Sequence, residues 1–266
     1  MGIQIDKEGG NPWDNWRSIA RESMRELGFW MTLRYLLIYW LSYKPVNDRS
    51  YDNRYGTDTS GIIPTRNLDI DDAYTRWQAN LFLASPARIT RYMIEQLIET
   101  PGDYTFVDYG SGKGRTTLVA AEYPFKKAIG VEISAELTAV ARKNAAIRAE
   151  RGDLQCDTGF VCADARTFEL PSGNLLLHMY HPFGQDILRE VLSHIRDTAG
   201  NEGMNEPRRI LLPYLFSVAM AKAVFHEFPE FERQDDVFCV NPQYRWTLYE
   251  FKSGATSQVA NERQGE

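Results

Sequence analysis

From about residue 105 onward, short apolar runs alternate with longer segments whose apolar positions recur every three to four residues. The runs at 105–109, 128–132, 159–162, 175–180 and 210–215 have the length and the branched or aromatic content of buried strands. Between them the spacing predicts helices over 115–121, 135–148, 185–196 and 217–228. Strands and helices in alternation imply parallel strands joined by right-handed crossovers, with helices on both faces: a doubly wound α/β sheet. The C-terminal end breaks this pattern. Residues 237–240 and 244–251 are strand-like and joined through Asn241-Pro242, too close together to hold a crossover helix, so they are predicted to form an antiparallel hairpin. The expectation is a mostly parallel seven-stranded sheet that ends in that hairpin.

The upstream part of the chain reads differently. Residues 1–15 are polar, and 16–44 are predicted to be helical with Gly28 as an interruption; the second half is dense in aromatic and aliphatic residues around Arg34. That apolar run falls short of the roughly 20 residues a membrane crossing needs, and its central Arg opposes insertion. It is expected to pack on the main domain or a partner, with peripheral membrane contact through residues 29–43 as the alternative. Residues 44–73, rich in Asp, Asn, Gly, Thr and Pro, read as a long ordered loop of the kind that forms lids. Ser85 and Pro86 then read as the N-cap and first-turn proline of a helix carrying Ile89, Tyr92, Met93, Leu97 and Ile98. The expected division is an N-terminal helical and loop extension over 1–104, serving as lid and acceptor platform, a domain over 105–251, and a flexible tail over 252–266.

Composition narrows the function classes. The 266 residues are 43% hydrophobic and 25% charged, ordinary globular values, and the formal net charge of −6 disfavours a broad basic surface for nucleic acid. Cys156, Cys162 and Cys239 lack C-x-x-C spacing and leave one thiol over in any disulfide scheme, which fits inert thiols in a reducing cytoplasm. The first residues carry neither a basic secretion region nor a myristoylation pattern, so the expected compartment is cytoplasmic.

The chemistry begins at Phe106-Val107-Asp108-Tyr109-Gly110-Ser111-Gly112-Lys113-Gly114-Arg115: a strand, an acid near its end, then alternate glycines opening a helix. Glycines permit a tight turn and close approach to a ligand, and a helix N-terminus offers unpaired amides. A nucleotide corner is expected, and three ligands compete for it. Walker A spacing fails, because Val107 stands at its first glycine and Gly114 at its hydroxyl. A dinucleotide fingerprint is weakened, because Arg115 stands at its third glycine.

The third candidate rests on a resemblance. Asp108-x-Gly110-x-Gly112-x-Gly114 resembles the motif after the first strand of class I S-adenosylmethionine (SAM)-dependent methyltransferases, over roughly residues 106–251. The segment Tyr55-Gly56-Thr57-Asp58-Thr59-Ser60-Gly61, followed by Ser85-Pro86, is similar to a poorly characterised bacterial branch of that family and, more distantly, to histone-lysine methyltransferases that lack a SET domain. The resemblance implies SAM as cofactor, with Asp108, Gly110, Ser111, Gly112 and Gly114 around it. It also implies Glu132 on the ribose hydroxyls, Asp164-Ala165 at the adenine, and Asp58 and Thr59 as contacts from the upstream segment.

After the fourth strand, Tyr180-His181-Pro182-Phe183 stands where many amino methyltransferases carry Asn-Pro-Pro-Tyr or Asn-Pro-Phe, which by resemblance places these four residues at the methyl acceptor. His181 in place of Asn departs from the pattern; imidazole cannot donate and accept as an amide does, which opens O-acceptors and other N-acceptors. A protein side chain and a small molecule are both expected acceptor classes, ahead of nucleic acid. Two rivals remain: a SAM-binding sensor or assembly protein that has lost turnover, and an NAD-dependent oxidoreductase. His178 and His181 invite a metal, but three residues apart on a strand they should face opposite ways with no third ligand nearby, so no metal is expected.

Overall fold

The structure, a computed structural model, describes residues 49–201, 208–215, 219–237 and 246–252. The aromatic segment at 29–43 and the tail beyond 252 lie outside the described residues, as does Cys239. The first described elements are α1 (Ser50–Tyr55), β1 (Ile62–Ile63), a 3-10 turn (Thr65–Asn67), α2 (Ala73–Gln78), β2 (Phe82–Leu83) and α3 (Ala87–Leu97). The main alternation follows as β3 (Tyr104–Tyr109), α4 (Arg115–Ala120), β4 (Lys127–Glu132), α5 (Ala135–Glu150), β5 (Asp157–Cys162) and β6 (Asn174–Tyr180). Then come α6 (Gln185–Asn201), β7 (Ile210–Leu215), α7 (Ala219–His226), β8 (Phe231–Val237) and β9 (Trp246–Phe251).

Seven strands form one sheet in the order β5-β4-β3-β6-β7-β9-β8, with β9 antiparallel to both β7 and β8. The chain runs outward from β3 to β4 and β5, then returns to place β6 on the other side of β3. That reversal opens a crevice beyond the carboxyl ends of β3, β4 and β6, where open α/β sheets bind ligands. Alternate residues of each strand serve alternate faces. Val107, Tyr109, Leu175 and Leu177 pack with Leu188, Val191 and Leu192 of α6. On the other face Phe106, Leu176 and Leu211 pack with Met93 and Ile94 of α3. Helix α3 therefore shares a core with the sheet.

The expected doubly wound order is present, with three corrections. The hairpin's first strand begins at Phe231, well before 237, because Glu232, Arg233 and Gln234 are exposed on the edge strand and break the apolar pattern that marks inner strands. The expected loop over 44–73 contains helix α1 and strand β1, organised by a buried carboxylate. Asp52 accepts hydrogen bonds from the Thr57, Thr59 and Ser60 hydroxyls and from the Thr59 and Ser60 amides. Helix α3 begins at Ala87 with Pro86, not Ser85, at the N-cap and no side-chain cap; the Pro86 carbonyl takes the Ile89 and Thr90 amides instead.

Candidate functional site

A cavity sits at the crevice. Its floor is Asp108, Gly110, Ser111, Arg115, Thr116, Glu132 and His178; one side is Ala163, Asp164 and Ala165, and the other Tyr180, His181, Pro182 and Phe183. The stretch from Ala79 to Ser85, with Leu68, Ile70 and Thr75, closes over it.

The glycine turn is built for close packing. Gly110 (φ 72°) and Gly112 (φ 53°) adopt left-handed backbone, and a Cβ on Gly110 would stand 2.6 Å from Pro182 Cβ. A Cβ on Gly112 would stand 2.3 Å from the Phe82 ring. The turn after β3 is therefore pressed against both the turn after β6 and the covering segment. Gly112 and Gly114 are not among the cavity-lining residues; the space beside Gly114 is filled by Phe160.

The glycine turn uses most of its own amides within the protein. Gly110 and Ser111 N–H both donate to the Val131 carbonyl, at 2.9 and 3.1 Å, and Gly114 N–H donates to the Ser111 carbonyl at 2.9 Å. Gly112 N–H donates to Glu132 Oε2 at 2.9 Å. Four of the five amides from Gly110 to Gly114 are spent inside the protein. A phosphate nest needs those donors pointing at the ligand, and this turn does not offer them. The Ser111 hydroxyl is enclosed beside Gly130 of β4, with no hydrogen-bond partner among the described residues.

Glu132 ends β4 and is 7% exposed. Its Oε1 accepts the Ser134 N–H at 3.0 Å, so each oxygen holds one backbone amide and keeps a second lone pair for a ligand. Burial pushes its carboxyl pKa up despite those amides. Asp108, buried beside it, pairs with His178 on β6: Oδ1 lies 2.7 Å from His178 Nδ1, and Oδ2 accepts the Thr117 hydroxyl at 3.2 Å. The two residues are direct partners in the β3–β6 register.

Asp164 reaches the cavity edge, but Arg166 already grips it through Nε and Nη2 and extends to Thr75 at 3.1 Å. Burial would raise the Asp164 carboxyl; Arg166 outweighs it and holds the group below the usual carboxylate range. Asp58 and Thr59 are not among the residues that line the cavity. Thr59 is fully buried, donating to Asp52 and accepting from Arg115 Nε at 2.8 Å. Asp58 pairs with Lys113 at 2.9 Å, and its backbone N–H and carbonyl are both held by the Asn144 side chain. Together they fasten α1 and its turn to the helix behind the glycine corner.

On the opposite wall His181 has φ 41°, the one non-glycine with positive φ among the described residues. Asn and His both tolerate that conformation better than most residues, so this turn can carry His where the related motif has Asn. His178 stacks on Phe106 on one face of the sheet and His181 meets Tyr214 on the other, and both line the cavity because it opens at the strand ends. Its Nδ1 lies 2.8 Å from the Tyr214 hydroxyl. Burial raises the Tyr214 phenol pKa, so it keeps its proton, and among the described residues this is its only hydrogen bond. The phenol and the ring nitrogen can make this bond in either direction, according to the tautomer. Burial also lowers the His181 pKa to about 4, so it is a poor general base at neutral pH.

The backbone of this turn is also engaged. The His181 carbonyl accepts Asn80 Nδ2 at 2.7 Å, the Pro182 carbonyl accepts Asn80 N–H at 3.1 Å, and Gly184 N–H donates to the Gln78 carbonyl at 2.6 Å. The carbonyls that would grip an incoming amine are held by Asn80, a residue the sequence did not single out. Phe183 is 9% exposed, with its ring in the core beside Ile187 as well as at the cavity. Among the described residues no group of three His, Cys, Asp or Glu is placed to hold a metal ion, and no helix is long and apolar enough to cross a membrane.

The architecture is methyltransferase-like. Residues 74–155, under a third of the chain, match the family model described as histone methylation protein DOT1. That stretch contains the covering segment, the glycine turn and Glu132, and it bears out the resemblance to class I SAM-dependent methyltransferases with a distant likeness to DOT1. Solved structures of similar architecture include an RNA methyltransferase from Salinibacter ruber in complex with S-adenosyl-L-homocysteine (18% identity, 64% of this chain and 92% of that one, TM-score 0.42). TrmN from Thermus thermophilus (17%, 62% and 49%, TM-score 0.46) and a ribosomal protein L11 methylase from Lactobacillus delbrueckii subsp. bulgaricus (15%, 62% and 77%, TM-score 0.42) are others. Likeness at this level carries no information about acceptor or mechanism. No curated protein matches the chain in sequence.

Proposed function

We propose that this chain is a cytoplasmic SAM-dependent methyltransferase acting on a nucleophile of a protein side chain or a small molecule. The observation that carries the reading is the state of the glycine turn. Its amides are spent on Val131 and Glu132, which suits a nucleoside without phosphates and disfavours NAD or a nucleoside triphosphate. The cavity residues fit SAM: Glu132 keeps lone pairs for two ribose hydroxyls. Ala163 and Ala165 leave room beside Asp164 for a base.

SAM, when bound, supplies an electrophilic methyl group on a sulfonium, so the protein has mainly to align the acceptor and exclude water. The Ala79–Ser85 segment supports exclusion. Tyr180, His181, Pro182 and Phe183 frame the acceptor side, with a neutral His181 as an orienting group and not a base. Exposed Tyr74 and Trp77 on α2, with Leu81 at the cavity, offer an apolar approach to that side. The test is conversion of SAM to S-adenosylhomocysteine by the full chain in pools of peptides and metabolites, with mass spectrometry of whatever gains a methyl group. Turnover with a methylated product is expected; SAM binding without turnover in any pool would contradict transfer. A second reading, a SAM-binding protein without turnover, is favoured by one observation, the saturation of the His181 turn by Asn80 and Tyr214.

A further inference from the structure

His178 is not assigned by the glycine motif or by the Tyr180–Phe183 turn, yet it lies in the cavity floor with its side chain locked. It is 1% exposed, stacked on Phe106 with ring centroids 6.2 Å apart, and bonded through Nδ1 to Asp108 at 2.7 Å. A carboxylate partner fixes the hydrogen on Nδ1 and leaves Nε2 as a lone-pair acceptor with a set direction. Among the described residues the bond to Asp108 is the ring's one hydrogen bond, so Nε2 is left for a group in the cavity. β6 lies on the side of β3 away from β4 and β5, so His178 stands across Asp108 from Glu132 and Asp164. The N–H-bearing group that SAM carries there is the α-ammonium of its amino-acid arm.

We infer that His178 Nε2, oriented by Asp108, is a receptor for the ammonium of the cofactor's amino-acid arm. This rests on the SAM reading above. The experiment compares calorimetric affinities of the full chain for SAM and for 5′-methylthioadenosine, which shares the nucleoside and lacks the amino-acid arm. His178→Asn places an amide N–H near the Nδ1 position, keeping the bond to Asp108, and removes Nε2; His178→Gln places polar atoms near Nε2 instead. The expected result is a roughly tenfold to hundredfold loss of SAM affinity in His178→Asn, with 5′-methylthioadenosine affinity unchanged and partial recovery of SAM affinity in His178→Gln. Equal losses for both ligands, or none for either, would overturn the inference while leaving SAM binding intact. Wild-type chain that binds neither ligand would instead bring down the SAM reading itself, and this inference with it.

Discussion

The two walls of the cavity are made the same way, each by a turn that follows a parallel strand, and they end in opposite states. On the wall built from β3 and β4, Glu132 gives one lone pair of each oxygen to a backbone amide and has the others to spare. On the wall built from β6, the His181 imidazole is engaged by Tyr214 and the His181 and Pro182 carbonyls by Asn80. Buried polar groups left unmatched cost free energy unless something else pairs with them. The first wall is therefore prepared for a ligand, and the second is stable by itself and shapes space more than it offers bonds.

The largest effect expected lies behind the first wall. Asp52 and Arg115 form a buried pair, 3.5 Å apart, within a cluster that includes Thr59 and Ser60. Asp52→Ala removes the carboxylate beside the Arg115 guanidinium, which is 4% exposed, together with the acceptor of the Thr57, Thr59 and Ser60 hydroxyls, and should cost about 3–5 kcal/mol in urea unfolding. A loss under about 1 kcal/mol would show that α1 is not anchored by this carboxylate.

The pH dependence of the second wall comes next. Burial depresses the His181 pKa from 6.5 to about 4, so the unfolded chain takes up this proton first as pH falls. The stability it contributes is present above 6.5 and is lost on descending toward 4, by up to about 3 kcal/mol. Other acids titrate in the same window, so the readout is the difference between wild type and His181→Asn, which tolerates the positive φ. Parallel stability profiles for the two proteins would mean that the imidazole is not desolvated.

Smaller changes separate the walls directly. Glu132→Ala should weaken SAM binding by about 1.5–3 kcal/mol, tenfold to a hundredfold by calorimetry. Asn80→Ala should leave SAM affinity unchanged and cost about 1 kcal/mol of stability through the lost bond to the His181 carbonyl. If Asn80→Ala weakens SAM as much as Glu132→Ala does, the division between the walls is wrong.

The same contrast explains what could be read from the sequence. The strands at β3, β4 and β7 and the glycine turn are contiguous patterns, so local periodicity and spacing located them, and Glu132 follows at the end of the next strand. Asn80 reaches its partner across 101 positions, and nothing around Ala79-Asn80-Leu81 marks it. Asp58 and Thr59 drew notice as a polar turn, but composition does not distinguish a turn facing a ligand from one held by Asn144 and Asp52. The Asp108–His178 pair had a usable signal: aligning the ends of the two central strands sets them side by side.

The central claim is that the glycine corner accepts a nucleoside without phosphates. Parallel calorimetric titrations of the full chain with SAM and with NAD test it most directly. Saturable SAM binding that Glu132→Ala weakens at least tenfold, with no NAD binding, is the predicted result. NAD binding at the same site without SAM binding would contradict it.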